Sequence, residues 1–183
     1  MIEIQNLSVT LGEKIIFSDY STTFPDEGIV MISGESGIGK TTLLRVLCGL
    51  QKPDEGRIIG LADRRISVVF QEPRLLDHLT ALENVALVTD RTIAESLLRE
   101  LNMENELHIK ASKLSGGQKQ RVSLARAFAY SNDVVLLDEP FTGLDEYNKQ
   151  KAARLIQTAR LAIVVSHDAE DAELLSADEK IKL

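Results

Sequence analysis

The sequence lacks the features that mark secreted and membrane-spanning chains. It contains a single cysteine, Cys48, which cannot form an internal disulfide, and it opens with no charged-then-apolar leader, so a reducing cytoplasmic location is expected. No apolar run approaches the roughly 20 residues that a membrane-spanning helix needs. If the protein serves a membrane, another chain must supply the span.

The sequence also lacks a surplus of positive charge. Against 21 Lys and Arg stand 28 Asp and Glu, which gives a formal net charge of -7 at pH 7. A field of that sign repels phosphate backbones, so nucleic acid is not expected as a main partner. The 183 residues, 44% of them hydrophobic, show neither an internal repeat nor a dividing linker. A single soluble domain spanning residues 1–183 is therefore predicted.

Strand and helix patterns alternate along the chain. Alternating apolar positions in the first two dozen residues indicate two strands broken near Gly12. Further strands are predicted at 28–33, 66–70, 134–137 and 161–166, and helices at 40–48, 115–130 and from Asp145 onwards. A helical subdomain at about 72–125 looks inserted into this pattern. The alternation predicts an α/β fold with a mainly parallel sheet, a small antiparallel β region and ligands at the carboxyl ends of the parallel strands.

A glycine-rich segment lies directly between the strand at 28–33 and the following helix. It consists of Gly34, Glu35, Ser36, Gly37, Ile38, Gly39, Lys40 and Thr41, with Thr42 next, and has the pattern of a phosphate-binding P-loop. Inward-pointing N–H groups and the helix N-terminus would bind the phosphates of ATP. Lys40 would reach the outer phosphates, and the Thr41 hydroxyl would coordinate Mg²⁺. An ordinary glycine-rich turn is the alternative, which the flanking strand and helix disfavour.

Two acidic residues follow the predicted strand at 134–137. The strand delivers Asp138 and Glu139 to its carboxyl end, where ligands of parallel sheets bind. Asp138 can hold Mg²⁺, and Glu139 can polarise the attacking water as general base. Such a pair alone often only caps a turn, so the assignment depends on the P-loop.

The segment Leu114-Ser115-Gly116-Gly117-Gln118 is the most specific motif, and with it the chain resembles the ATP-binding cassette family throughout its length. The resemblance is to a compact, importer-like version with a P-loop NTPase core. It implies that Ser115, Gly116, Gly117 and Gln118 contact the γ-phosphate of ATP held by a second subunit of a homodimer. An ordinary capped helix start also explains Ser115 with Gln118, and the two interpretations are compatible.

The other motifs of the family stand in the expected order. Gln71 follows its strand, Leu144-Asp145 follow the two carboxylates, and His167 ends the last buried strand. The resemblance implies that Gln71 senses Mg²⁺ and water, that Asp145 lies at the dimer interface, and that His167 contacts the γ-phosphate. A lone histidine at a strand end is more often structural, but its place in this ordered set favours the catalytic assignment.

Leu11 departs from the family pattern. An aromatic residue that stacks on adenine usually occupies the matching position, and an aliphatic side chain loses about 0.5 to 1.5 kcal/mol of stacking. Weaker ATP binding or reduced selectivity for the nucleotide base would follow. The short segment between the P-loop and Gln71 also predicts a trimmed accessory hairpin.

The predicted function is that of an ATP-hydrolysing subunit that energises a separate membrane permease from the inner face of the membrane. Residues 70–85 look like the corresponding stretch of importer ATPases for small anions, and Leu75, Leu76 and Leu79 could form a docking surface or pack into the core. A soluble ATPase of the same family, for example of the iron–sulfur assembly type, is the alternative. A module that binds ATP without hydrolysis is disfavoured by Glu139 and His167.

Overall fold

The computed structural model describes residues 1–183 as an alternation of strands and helices. The strands are β1 (Ile2–Leu11), β2 (Lys14–Phe24), β3 (Gly28–Ser33), β4 (Glu55–Ile59), β5 (Ile66–Val69), β6 (Val134–Asp138), β7 (Leu161–Val165) and β8 (Glu179–Lys182). The helices are α1 (Lys40–Leu47), α2 (Ala81–Ala86), α3 (Arg91–Glu100), α4 (Gly116–Tyr130), α5 (Glu146–Ile156) and α6 (Ala169–Leu174), with a short 3-10 helix at Ala111–Lys113. None of the helices combines the length and apolar character needed to cross a membrane.

The strands form two sheets. Five parallel strands lie in the order β5-β6-β7-β3-β8, and three antiparallel strands lie in the order β2-β1-β4. The predicted α/β fold class with a small antiparallel region is confirmed. In place of an accessory hairpin, β4 alone pairs with β1. The edge strand β8 and the preceding α6 were not predicted.

The parallel sheet carries a separate hydrophobic cluster on each face. Strand β6 shows the alternation: Val135 and Leu137 pack into the cluster that includes the helices α2 to α5, whereas Val134 and Leu136 pack into the cluster shared with α1 and the antiparallel sheet. Because both faces are covered, every residue of β6 and β7 is buried, which explains their continuous apolar sequences. Cys48 caps the C-terminus of α1 and is half-buried at the edge of its cluster rather than fully inside it.

Capping residues define the helical region that follows β5. Thr80 and Asp90 cap α2 and α3 with their side chains, and Ser115 forms the predicted capping box with Gln118 at the start of α4. The buried faces of α2 and α3 contribute Leu82 and Leu98 to the same cluster as α4. The helical region thus packs onto the sheet through one continuous core.

Candidate functional site

A cavity of about 610 Å³ opens at the carboxyl ends of the central strands. Its lining consists of Ile16, Ser36, Gly37, Gly39, Lys40, Thr41, Thr42, Gln71, Asp138, Glu139, Thr142 and His167. The structure therefore brings most of the predicted P-loop together with Gln71, the two carboxylates and His167. The other predicted nucleotide-binding residues, Leu11, Gly34, Glu35 and Ile38, do not line this cavity.

The strand order explains why these residues meet. β7 lies between β3 and β6, all three strands are parallel, and so their carboxyl ends share one edge of the sheet. The P-loop follows β3, Asp138 ends β6, and His167 comes two residues after β7. Residues that are distant in sequence surround one cavity because the segments after parallel strands all begin at the same edge of the sheet.

The P-loop has a backbone that only glycine tolerates at its critical turn. Gly39 has a φ of 122°, and a Cβ there would lie 2.6 Å from Cγ2 of Ile16 and 2.9 Å from Cζ of Phe17. The close approach places the loop against the antiparallel sheet, directly before α1 begins at Lys40. Lys40 Nζ donates to the carbonyl oxygens of Gly34 at 2.7 Å and Glu35 at 3.0 Å, so its ammonium group is held over the loop.

Thr41 and Asp138 form a partly buried polar contact in the cavity. Thr41 Oγ1 donates to Asp138 Oδ2 at 2.6 Å, and Asp138 is only 2% exposed. Burial raises the pKa of Asp138, while the hydrogen bond from Thr41 and the charge of Lys40 act in the opposite direction.

The donor set formed by Thr41 and Asp138 suits a hard cation. A hydroxyl and a carboxylate are oxygen ligands of the kind that Mg²⁺ prefers, and Mg²⁺ is usually held by one or two protein ligands together with substrate phosphates. The chain has no group of three or more His, Cys, Asp or Glu side chains that could hold a metal by themselves. The residues present therefore fit a Mg²⁺ ion that arrives with a phosphate-bearing substrate.

Glu139 adopts a backbone conformation that is unusual for a residue with a side chain. Its φ is 52°, in the left-handed region, and its N–H donates to the carbonyl oxygen of Val165 at 2.9 Å. Backbone strain of this kind, of the order of 1–3 kcal/mol, is concentrated at functional sites. The consequence here is that the Glu139 side chain reaches His167, with Oε1 at 2.8 Å from Nδ1. This hydrogen bond and the adjacent negative charge raise the pKa of His167.

The predicted partner-facing residues do not line the cavity. Ser115 and Gly116 are exposed at the start of α4, and Asp145 is exposed as the N-cap of α5. The side chain of Gln118 is engaged within its own subunit: Oε1 accepts from the Ser115 N–H at 2.8 Å, and Nε2 donates to Glu106 at 3.1 Å. Of this group, Ser115, Gly116 and Asp145 have the free surface that a contact with another molecule requires.

Sequence reasoning missed two lining residues, Ile16 and Thr142. Along the β1–β2 pair, Val9 is opposite Phe17 but Thr10 is opposite Ile15, so Ile16 is the extra residue of a β-bulge. Leu11, which was predicted to meet adenine, pairs with Lys14 at the end of the hairpin and is 38% exposed. No sequence signal marks a bulge of this kind, whereas Thr142 could have been suspected from its position between Glu139 and Asp145.

The family model and the similar proteins found by comparison agree with each other. The family model described as "ABC transporter" matches residues 17–142. The chain is 37% identical to the aliphatic sulfonates import ATP-binding protein SsuB 1 of Paracoccus denitrificans, over 96% of this chain and 76% of that protein. It is 35% identical to the sulfate/thiosulfate import ATP-binding protein CysA of Synechocystis, over 93% of this chain and 55% of CysA.

Solved structures agree with the sequence comparisons. The chain superimposes on the ATP-binding cassette MJ0796, in its dimeric post-hydrolysis state bound to ADP and Pi, with a TM-score of 0.88 and 29% identity. This match covers 100% of this chain and 94% of the other. A second dimeric structure of MJ0796, described as a bacterial ABC transporter cassette, matches with a TM-score of 0.85 and 30% identity.

Proposed function

The chain belongs to the ABC transporter family and is an ATP-binding, ATP-hydrolysing subunit that energises a separate permease, and from this premise we propose how its residues perform that task. Residues 1–183 act as one nucleotide-binding domain with an inserted helical subdomain at about 72–125. Two copies form an ATP-dependent homodimer on the inner face of the cell membrane. SsuB 1 and CysA are named as import subunits, and this supports import as the direction of transport.

Phosphate binding is assigned to the P-loop. The backbone N–H groups of the loop and the N-terminus of α1 provide donors and partial positive charge, and Lys40 adds a full charge above the loop. Thr41 and Asp138 would hold Mg²⁺, which supplies charge neutralisation for the phosphate oxygens when it is bound. Gln71 lines the same cavity, and we assign to it contact with the metal or the attacking water.

Hydrolysis is assigned to Glu139 and His167. Glu139 orients a water molecule and accepts its proton as the water oxygen bonds to the γ-phosphorus, while the bond from that phosphorus to the ADP oxygen breaks. His167 holds the Glu139 carboxylate and can also donate to a γ-phosphate oxygen. The observation that carries this proposal is the strained backbone of Glu139, which directs a carboxylate towards His167 in the cavity that holds Lys40 and Asp138.

Dimerisation is assigned to the exposed motif at the start of α4. Ser115 and Gly116 present a helix N-terminus to solvent, which would meet the γ-phosphate of ATP bound to the other subunit, with Gly117, Gln118 and Asp145 beside it. The dimeric state reported for MJ0796 supports this arrangement. ATP then forms part of the interface, so its binding and hydrolysis control closing and opening.

Permease docking is assigned to the helical region near Gln71. Leu76, Leu87 and Ile93 are apolar side chains that are 44%, 55% and 47% exposed there, whereas Leu75 packs against the core. Leu79 is half-buried. Of the three leucines predicted either to dock or to pack into the core, Leu76 is thus available for docking and Leu75 belongs to the core. A contiguous exposed apolar patch is typical of a protein interface, and we propose that Leu76, Leu87 and Ile93 contribute to one.

The decisive experiment traps the closed dimer. Glu139→Gln should keep ATP and Mg²⁺ bound but nearly stop cleavage, so that light scattering detects a dimer at saturating ATP and a monomer without it. In that background, Ser115→Arg places a bulky cation at the start of α4 and should abolish the dimer, although no residue of the P-loop changes. A monomeric Glu139→Gln variant at saturating ATP, or a dimer that survives Ser115→Arg, would show that the two-subunit site is wrong.

A further inference from the structure

Asn148 is the centre of a buried polar cluster behind the partner-facing surface. It lies in the first turn of α5 and is 8% exposed. Its Nδ2 donates to both carboxylate oxygens of Asp145, at 2.9 and 3.0 Å, and its backbone N–H donates to Asp145 Oδ1 at 2.9 Å. Its Oδ1 accepts from Arg121 Nη1 at 3.1 Å and from Asn102 Nδ2 at 3.3 Å. All polar atoms of this side chain are therefore used.

Arg121 fixes this cluster to α4. Its Nη1 also donates to the carbonyl oxygens of Leu101 at 2.9 Å and Asn102 at 2.7 Å, so the guanidinium group is held at the end of α3. Arg121 is 8% exposed and belongs to the helix that begins at Ser115. Asn148 is the side chain that connects this fixed guanidinium group to Asp145.

Backbone contacts tie the same two elements together near their partner-facing ends. A Cβ on Gly117 would lie 2.3 Å from the carbonyl oxygen of Gly143, so the start of α4 touches the turn before Asp145 directly. One helical turn further on, Gln120 Nε2 donates to the carbonyl oxygen of Pro140 at 3.2 Å. The turn is thus anchored along its backbone, and the Asp145 side chain is the part that still needs to be oriented.

The hydrogen bonds from Asn148 to Asp145 are not needed to compensate for burial of the Asp145 charge. Asp145 is exposed, so water would satisfy its carboxylate without help from the protein. Capping of α5 requires only the bond from the backbone N–H of Asn148. The additional hydrogen bonds from Asn148 Nδ2 to both oxygens therefore restrict the orientation of a carboxylate that would otherwise be mobile.

We propose that Asn148 is a positioning residue that locks the Asp145 carboxylate to α4, so that Asp145 and Ser115 meet a second subunit as one preorganised surface. This inference rests on the proposed function, because it assumes that both residues face the partner. It adds a residue that contacts neither ATP nor the partner and acts through Asp145. Preorganisation matters here because each side chain that must be ordered on association weakens binding.

The test measures the ATP-dependent dimer in the Glu139→Gln background by sedimentation velocity. Asn148→Leu keeps the branched outline of the side chain but removes all of its side-chain hydrogen bonds. The dimer dissociation constant should rise by about tenfold, because a mobile Asp145 side chain in each of the two subunits must then be ordered on association. ATP affinity of the monomer, measured by calorimetry, should stay unchanged because the P-loop is not altered. Asn148→Asp, which can still accept from Arg121 but cannot donate to Asp145 while ionised, should show the same defect.

Asn84→Leu is the matched control for lost stability. Asn84 is also buried, and its amide bonds the backbone at Leu76 and Thr80, away from Asp145. Its replacement should lower the melting temperature and leave the dimer constant unchanged. If Asn84→Leu weakens the dimer as much as Asn148→Leu does, the effect is general destabilisation and the inference is overturned.

A double-mutant cycle tests whether Asn148 acts through Asp145. If it does, Asn148→Leu should weaken the dimer in the presence of Asp145 and have no further effect once Asp145→Ala is introduced. Additive effects, or no effect of either Asn148 variant, would refute the positioning role while leaving the dimer itself intact. A Glu139→Gln protein that never dimerises with ATP would instead overturn the proposed function, and this inference with it.

Discussion

His167 and Glu139 form a hydrogen-bonded pair across the ends of two neighbouring strands, with Nδ1 of the imidazole 2.8 Å from Oε1 of the carboxylate. The two residues are unequally exposed: the side chain of His167 is 77% accessible and that of Glu139 only 14%. The carboxylate is thus set in the wall of the cavity, and the imidazole covers it from the solvent side. Protonation of His167 therefore controls how strongly the carboxylate is held.

The interaction between His167 and the Glu139 carboxylate should depend on pH. Its hydrogen bond raises the pKa of His167 above 6.5, so the stabilisation from the charged pair is fully present below pH 6.5 and is lost as pH rises through the raised pKa. In Glu139→Gln the pKa of His167 should fall back towards 6.5, as followed by NMR of the imidazole signals. The signals of His78 and His108, which do not bond Glu139, serve as internal references. An identical titration of His167 in both proteins would disprove the pairing.

Lys40→Ala should remove most of the affinity for ATP, because Lys40 supplies the full positive charge above the P-loop. Lys14→Ala is the matched control: Lys14 Nζ donates to the carbonyl oxygen of Gly37 at 3.2 Å but does not line the cavity. Calorimetry should therefore show near wild-type affinity for the Lys14 variant. Equal losses in the two variants would mean that the lysines act only by holding the loop backbone.

Leu11→Tyr should tighten ATP binding by several-fold at most, in keeping with a stacking contribution of about 0.5 to 1.5 kcal/mol. The bulge at Ile16 offers a second apolar contact for the base, so Ile16→Ala should weaken binding in the wild-type background. Both changes are read from the dissociation constant by calorimetry. If neither change has an effect, the adenine ring does not lie against this hairpin.

Asp138→Asn should raise the melting temperature of the nucleotide-free protein while lowering the affinity for Mg²⁺-ATP. Burial raises the pKa of Asp138, so a neutral side chain of the same shape is better suited to this site, and its amide oxygen can still accept from Thr41. The stability gain should be larger at pH 8 than at pH 4, because an acid whose pKa is raised by folding loses stability as it ionises. Scanning calorimetry of both proteins at both pH values tests this expectation. A melting temperature of Asp138→Asn below that of the wild type at pH 8 would contradict it.

The elements that hold the site were predictable because each combined a local pattern with a fixed spacing. The strands β3, β6 and β7 are short apolar runs, and polar residues that line the cavity lie at the carboxyl end of each strand or in the short segment that follows it. The capping box of Ser115 and Gln118 likewise gave the start of α4, because capping depends on residues only three positions apart.

The remaining features depend on relationships that no local pattern contains. Ile16 reaches the cavity through a bulge that is set by pairing with β1, and β8 is a short edge strand, EKIK, whose charges resemble those of a loop. Asn148 looks like an ordinary helix residue in sequence, yet two of its partners are 27 and 46 positions away. Tertiary contacts of this range could be found only in the folded structure.

The two hydrophobic clusters on opposite faces of the parallel sheet have a consequence for how the protein opens. They share no residues, so packing can be lost on the helical face while α1 and the antiparallel sheet stay in place. Amide hydrogen exchange should then divide the chain into two classes, with α2 and α3 exchanging through partial opening and β3, β6 and β7 exchanging only on complete unfolding. If a permease pulls on the helical region, we therefore expect α2 and α3 to be deformed while the phosphate-binding loop stays folded.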